Sequence, residues 1–216
     1  MLNALNTIAA ISTAVGNGGI GVVRISGELS LKIGEGISGS KLIPRVANFH
    51  NFKDSQDNLI DQGLILFFPA PNSFTGEDII EFHCHGGTVV TQSILEICLE
   101  MGADLAEPGD FTKRAYLNNK IDLTQAESVA DLINASTAEA VKSAANSLSG
   151  KFSIEINNLL KNLIELRMYV EACLDFPEED IDFISEGKVK DKLKKLSKIM
   201  TNIMHSASQG QLLRDG

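Results

Sequence analysis

The sequence predicts an α+β domain followed by an all-helical one. Three observations lead there. Runs of alternating apolar and polar residues recur up to about residue 106, each bounded by glycine or a polar turn cluster. From Asp110 onward no such run occurs, and helix formers dominate. The apolar fraction of 44% and charged fraction of 22%, over 216 residues, are those of a soluble globular chain with room for one large domain or two small ones.

The elements follow in order. Thr7 to Thr13 reads as a first strand, Gly16 to Gly21 as a glycine-rich turn, and Gly21 to Ser26 as a second strand. A dinucleotide fingerprint is a poor reading, because that motif leads from a strand into a helix and this one leads into another strand. Val23 and Ile25 share one face of the second strand; Val22, Arg24 and Ser26 share the other. Arg24 is thus a lone cation between β-branched residues. Two readings stay open for it: a snorkelling surface side chain, the commoner case, or a ligand for an anion or a carbonyl.

Leu29 to Ile37 is a short helix, and Asn48 to Lys53 and Leu59 to Phe68 are strands joined by a polar turn. The stretch Pro71 to Gly87 then runs from a loop of hydroxyls and amides, through a strand, to a glycine pair. In that strand Ile80, Phe82 and Cys84 suit a core, while Ile79, Glu81, His83 and His85 face the other way. One face therefore gathers a carboxylate and two imidazoles. Either it is a solvated sheet face, the commoner reason for such alternation, or it is a ligand site. Gly87 to Met101 has apolar residues at helical spacing, with Gly102 as its stop. Ala103 to Ala106 is a last strand.

The second part reads as helices throughout. Asp110 caps a helix through Leu117, and Thr124 with Glu127 forms a capping box that opens a helix to about Ala135. Ser136 or Thr137 caps the next, which runs to about Leu174 with a break near Ser149-Gly150. In it Ile156, Leu159, Leu163, Leu166, Val170 and Cys173 form one apolar stripe. An acidic turn, Asp175 to Asp182, precedes a last helix with a seam of Val189, Leu193, Leu196, Met200 and Ile203. Ser208 to Gly216 reads as a linker. The composition shift near residue 118 divides the chain into domains 1–118 and 119–216.

Charge and cysteine count narrow the function. A net charge of −9 argues against a broad nucleic-acid surface. The lysines at 188, 190, 192, 194, 195 and 198 follow a run of acids, and a solvated helix surface is favoured over a phosphate contact. The acidic run lacks the glycine and ligand spacing of an EF-hand. No apolar run is long enough to span a membrane, and the first residues carry no basic leader. Cys84, Cys98 and Cys173 show no CxxC spacing and read as reduced core thiols of a cytoplasmic protein.

Four blocks together carry a resemblance: GVVRISG, PNSFTGEDIIEFHCHGG, AEPGDFTKRAYLNNKIDLTQAESVADLINA and YVEACLDFPEEDID. In order, over nearly the whole chain, they resemble the tRNA-modification GTPase family MnmE (TrmE). The resemblance implies an N-terminal mixed-sheet domain similar to the folate-binding aminomethyltransferase (GcvT-like) domains. That domain dimerises and binds a tetrahydrofolate derivative, 5-formyl- or 5,10-methylene-tetrahydrofolate, as one-carbon donor. It also implies a helical domain, here only in part, into which a Ras-like G domain is inserted. With the flavoprotein MnmG (GidA), the family adds an aminomethyl-type group to carbon 5 of the wobble uridine of certain tRNAs. No G-x-x-x-x-G-K-[ST] motif occurs here. GTP, Mg²⁺ and K⁺ are therefore expected in the parent protein only, and the chain reads as its N-terminal portion.

Carried over block by block, the family's folate contacts fall on Arg24, Glu81 and Lys120, with no catalytic residue and no metal ligand. A carboxylate at Glu81 suits a pterin ring, which presents an N–H and an exocyclic amine side by side. Arg24 and Lys120 suit carbonyls of the ring or carboxylates of the tail. Two other functions compete: a stand-alone folate-dependent aminomethyltransferase, and a metal-dependent hydrolase built on Glu81, His83 and His85.

Overall fold

The structure, a computed structural model, describes residues 6–175 and 189–215. It consists of two compact units that divide between Ile121 and Asp122. The sequence draws the boundary after residue 118. The structure keeps Asn119 to Ile121 with the first unit, because the Lys120 backbone N–H donates to Ala115 O at 2.8 Å and its ammonium to Pro71 O at 2.9 Å.

The first unit contains β1 (Ile8–Ile11), β2 (Gly18–Ser26), α1 (Ser30–Ser38), β3 (Asn48–Lys53), β4 (Leu59–Phe68), β5 (Ile79–Gly86), α2 (Thr88–Glu100), β6 (Asp104–Leu105) and α3 (Asp110–Leu117). Its six strands form one sheet in the order β3-β4-β5-β2-β1-β6. Only β1 and β6 pair in parallel, so the sheet is mixed, as expected. The side chains that alternate inward from β2, β4 and β5 (Val23, Ile25, Ile65, Phe67, Ile80, Phe82, Cys84) are buried with Ile33 and Ile37 of α1 and Ile94, Ile97 and Cys98 of α2. Phe52 meets Phe82 edge to face, with ring centroids 5.3 Å apart. Burying such a side chain contributes about 2–3 kcal/mol. The two helices therefore claim one face of the sheet and leave the other to Arg24, Glu81 and His83.

Two local expectations in this unit are corrected. Gly18 to Gly21 belong to β2 rather than to a turn; the register shifts between Gly18 and Gly21, and Gly21 then pairs with Cys84. The shift absorbs the extra glycines without breaking the ladder. Asp110 is the first residue of α3, not its cap. Gly109, at φ 89°, precedes the helix, and the Asp110 carboxylate accepts the Glu107 N–H at 2.8 Å.

The second unit contains α4 (Leu123–Asn134), α5 (Ala138–Leu148), α6 (Lys151–Asp175) and α7 (Val189–Asp215). The capping box belongs to Asp122 and Gln125 rather than Thr124 and Glu127. Asp122 is in extended conformation, as a cap requires, whereas the Thr124 carbonyl already accepts from Ser128 Oγ within the helix. Thr137 caps α5, and Gly150, at φ 78°, separates α5 from α6. Helical backbone runs to Asp215, so Ser208 onward is not a linker among the described residues. Leu166, Leu196 and Ile203 of the two seams are buried, whereas Leu163, Leu193 and Met200 stay exposed. The acidic turn falls largely on 176–188, outside the described residues, and so does the side chain of Cys173. Among the described residues no helix is long and apolar enough to cross a membrane.

The close approach of β4 to β5 under the open face depends on Gly63. A Cβ built there would lie 2.1 Å from His83 O and 2.9 Å from the Phe52 ring. Gly63→Ala is expected to cost about 2–4 kcal/mol. Gly19→Ala, whose Cβ meets nothing within 4 Å, is expected to stay within about 0.5 kcal/mol of the parent. Urea titration of both variants measures this; equal stabilities would contradict the packing.

Candidate functional site

The open face of the sheet is built around a cross-strand pair. The antiparallel register of β2 on β5 sets Arg24 directly opposite Glu81, and Leu66 of β4 flanks Glu81 on its other side. Opposite charges at such positions attract. Here they meet closely: Arg24 Nε and Nη2 both donate to Glu81 Oε1, at 2.9 and 2.6 Å. The other oxygen, Oε2, lies 3.1 Å from His83 Nε2. The Glu81 side chain is 15% exposed and that of Arg24 29%. Burial pushes the Glu81 carboxyl up, but the His83 hydrogen bond and the Arg24 charge outweigh it, and the group sits below the usual Glu range.

Two phenyl rings frame the guanidinium. The Phe74 and Phe111 centroids lie 5.9 and 5.7 Å from Arg24 Cζ, within cation–π range. Phe74 comes from the loop before β5, and Phe111 from the first turn of α3. Buried and half-buried polar contacts tie these two segments together and to β2. Ser26 Oγ is 2.7 Å from Thr75 Oγ1 and donates to Glu77 Oε2 at 2.7 Å. Arg114, nearly fully buried, donates from Nη1 to the same Glu77 oxygen at 3.0 Å and from Nη2 to Asn6 O. Asn118 Nδ2 donates to Thr75 O at 2.7 Å. A buried arginine is tolerated when its charge is paired and its donors are used, as here.

Lys120 belongs to the same clasp. Its ammonium donates to Pro71 O, and its aliphatic stem crosses Gly76, where a Cβ would lie 3.2 Å from it. Gly76 also has φ 80°, so glycine is needed there twice over. Of the three expected folate contacts, Arg24 and Glu81 are therefore joined directly. Lys120 instead holds the loop that carries Phe74.

The three residues of the metal reading do not share one point. His85 turns away from Glu81 and meets Asp61 of β4: its backbone N–H donates to Asp61 Oδ2 and its Nδ1 lies 2.7 Å from Oδ1. Burial raises the Asp61 carboxyl, but those two contacts together hold it below its usual range. Among the described residues no three His, Cys, Asp or Glu side chains converge on a point that suits an ion. Cys84 and Cys98 point into the core, where burial pushes their thiols up to about 11 and about 12. They are inert hydrophobes rather than nucleophiles.

Sequence reasoning missed Phe74, Phe111, Ser26, Thr75, Glu77, Arg114 and Asp61. Asp61 carries a sequence signal, an acid near the start of a largely apolar strand. The others do not, because their partners are brought up by the fold from distant segments.

Comparison with known proteins agrees with the layout. A family model described as GTP-binding protein TrmE N-terminus matches residues 7–120, and one described as MnmE helical domain matches residues 123–216. The tRNA modification GTPase MnmE of Neisseria meningitidis is 54% identical over 210 residues, covering 97% of this chain and 47% of the relative. The protein of that name from Pseudomonas fluorescens is 51% identical over 210 residues, covering 97% and 46%. That from Pseudomonas paraeruginosa is 51% identical over 216 residues, covering 100% and 48%. The chain thus spans about half the length of the curated relatives it matches.

The depressed carboxyls give a signed pH prediction. A carboxyl whose folded pKa lies below its unfolded value contributes stability above the ordinary value, near 4.5 for Glu, and loses it as pH falls through the folded value. Denaturant midpoints of the parent are expected to drop below that pH, and Glu81→Gln is expected to flatten the drop. An equally steep drop in the variant would mean that Glu81 is not paired.

Proposed function

The chain belongs to the TrmE (MnmE) family, and from that premise we propose that it is the N-terminal part of a tRNA modification GTPase, whose first unit binds a tetrahydrofolate derivative and dimerises. In this reading the parent protein works with the flavoprotein MnmG (GidA) on carbon 5 of the wobble uridine, in the cytoplasm. GTP hydrolysis, with Mg²⁺ and K⁺, belongs to the half of the relatives that this chain does not cover.

One observation carries the folate reading: an ionised, mostly buried carboxylate on the outward face of β5, paired with a guanidinium that two phenyl rings flank. The donor chemistry fits the group. A carboxylate accepts from the N–H and amine of an amino-pyrimidine edge, as it accepts here from a guanidinium. Phe74 and Phe111 suit a flat heterocycle by stacking or edge contact. The folate supplies a one-carbon unit when bound. The chain's own residues bind and orient it: Glu81 reads the ring edge, His83 holds the carboxylate from the other side, and Lys120 keeps the Pro71–Asp78 loop over the site. The clasp of Ser26, Thr75, Glu77 and Arg114 excludes water from the loop's underside and fixes where Phe74 stands.

Calorimetry with 5-formyltetrahydrofolate tests the assignment. Glu81→Ala is expected to weaken binding by about 30-fold or more, the loss of a charge-assisted pair, with far-UV dichroism unchanged. Unchanged affinity in a folded variant overturns it. A Walker-type phosphate loop in the coding sequence beyond residue 216 separates this reading from a stand-alone aminomethyltransferase.

A further inference from the structure

An arginine head group and the amino-pyrimidinone edge of a pteridine are the same recognition element. In each, a planar carbon carries nitrogens whose N–H groups lie side by side and suit one carboxylate. In this structure an arginine already holds the carboxylate. Arg24 delivers two N–H groups to Glu81 Oε1, and His83 Nε2 lies against Oε2. An ionised carboxyl offers about four acceptor positions, so about one remains. The guanidinium also stands beside both Phe74 and Phe111, the aromatic surface that a flat ring would need. A ligand that presents two adjacent N–H groups to Glu81 cannot simply be added. It must take a place already filled.

We propose that Arg24 is a resident stand-in for the ligand: its guanidinium occupies Glu81 and the Phe74–Phe111 surface until a planar cyclic guanidine displaces it. The inference rests on the pteridine reading above and adds the order of events to it. It also assigns Phe74 and Phe111 to ring contact after the exchange. Arg24 suits the part. Its stem is long and flexible, and its side chain is 29% exposed, so its head group has a path to solvent. Once displaced, the cation is free to meet anionic groups of the same ligand.

The exchange has a consequence of opposite sign to a direct Arg24 contact. Apparent affinity falls in proportion to the fraction of molecules whose Glu81 is free. Removing the competitor therefore strengthens binding of the bare ring, even though it leaves Glu81 less well paired and the free protein less stable. Removing a direct contact weakens binding instead.

The test uses the 216-residue chain and two probes: pterin, which has no anionic tail, and 5-formyltetrahydrofolate. Arg24→Met, which keeps the apolar stem, is expected to bind pterin about tenfold more tightly than the parent. Equal or weaker binding overturns the exchange. Because the variant is less stable, the parent gives a second readout. In ¹⁵N-labelled protein the Arg24 Nε–H resonance is expected to be protected in the free state and to lose protection when 5-formyltetrahydrofolate saturates the site. A resonance that stays protected in the complex also overturns the exchange. Should the parent fail to bind 5-formyltetrahydrofolate, or Glu81→Gln bind it equally well, the pteridine reading and the exchange fall together. Glu81-dependent binding with weaker pterin affinity in Arg24→Met keeps the pteridine reading and rejects the exchange alone.

Discussion

The register of β2 on β5 is the constraint on which the rest of the site depends. Because side chains alternate along a strand, one slip of that ladder would turn Glu81 into the core and Phe82 out to solvent. The core forbids the slip. Val23, Ile25, Ile80 and Phe82 are fully buried on the opposite face, and moving them out would forfeit several kcal/mol of burial. The apolar side of the sheet thus specifies the polar side. Arg24 meets Glu81 because their inward-facing neighbours pack beneath α1 and α2.

The second determinant is the clasp over that face. A loop such as Pro71–Asp78 has no ladder of its own, so its position depends on side chains from elsewhere. Arg114 reaches it from α3, Ser26 from the end of β2, and Lys120 from the turn that follows α3. Each contact is short and directional, and those of Arg114 and Ser26 are half-buried, where leaving a donor or acceptor unmet is costly. Cooperation of this kind makes the loop a defined wall rather than a tether. It also sets Phe74 beside Arg24, and so the aromatic part of the site depends on a polar network behind it.

The helical unit answers to a different rule. Its caps are local: Asp122 with Gln125, Thr137 with Ala140 N, and Gly150 between α5 and α6. Its seams bury Leu166, Leu196 and Ile203 while other apolar groups such as Met168 and Leu193 remain at the surface. Helix formation there follows from composition and spacing, whereas coverage of the seams is a matter of what packs on them.

By itself the sequence determined the alternation of β2, β4 and β5, the amphipathic α2, the change to helices after Asp110, and the placing of Arg24 and Glu81 on outward faces. These depend on neighbours within a few residues, where period and propensity act. Even so, it misplaced the cap of α4, since two overlapping S/T/D-x-x-E/Q patterns compete and only backbone conformation chooses between them. Tertiary structure alone decided that Arg24 pairs with Glu81, that His83 joins them while His85 leaves for Asp61, and that Arg114 lies buried under the loop. Apart from Glu81 and His83, neighbours on one strand face, those partners are separated by tens of residues in the chain. Their meeting is set by strand order and register, which no local pattern encodes.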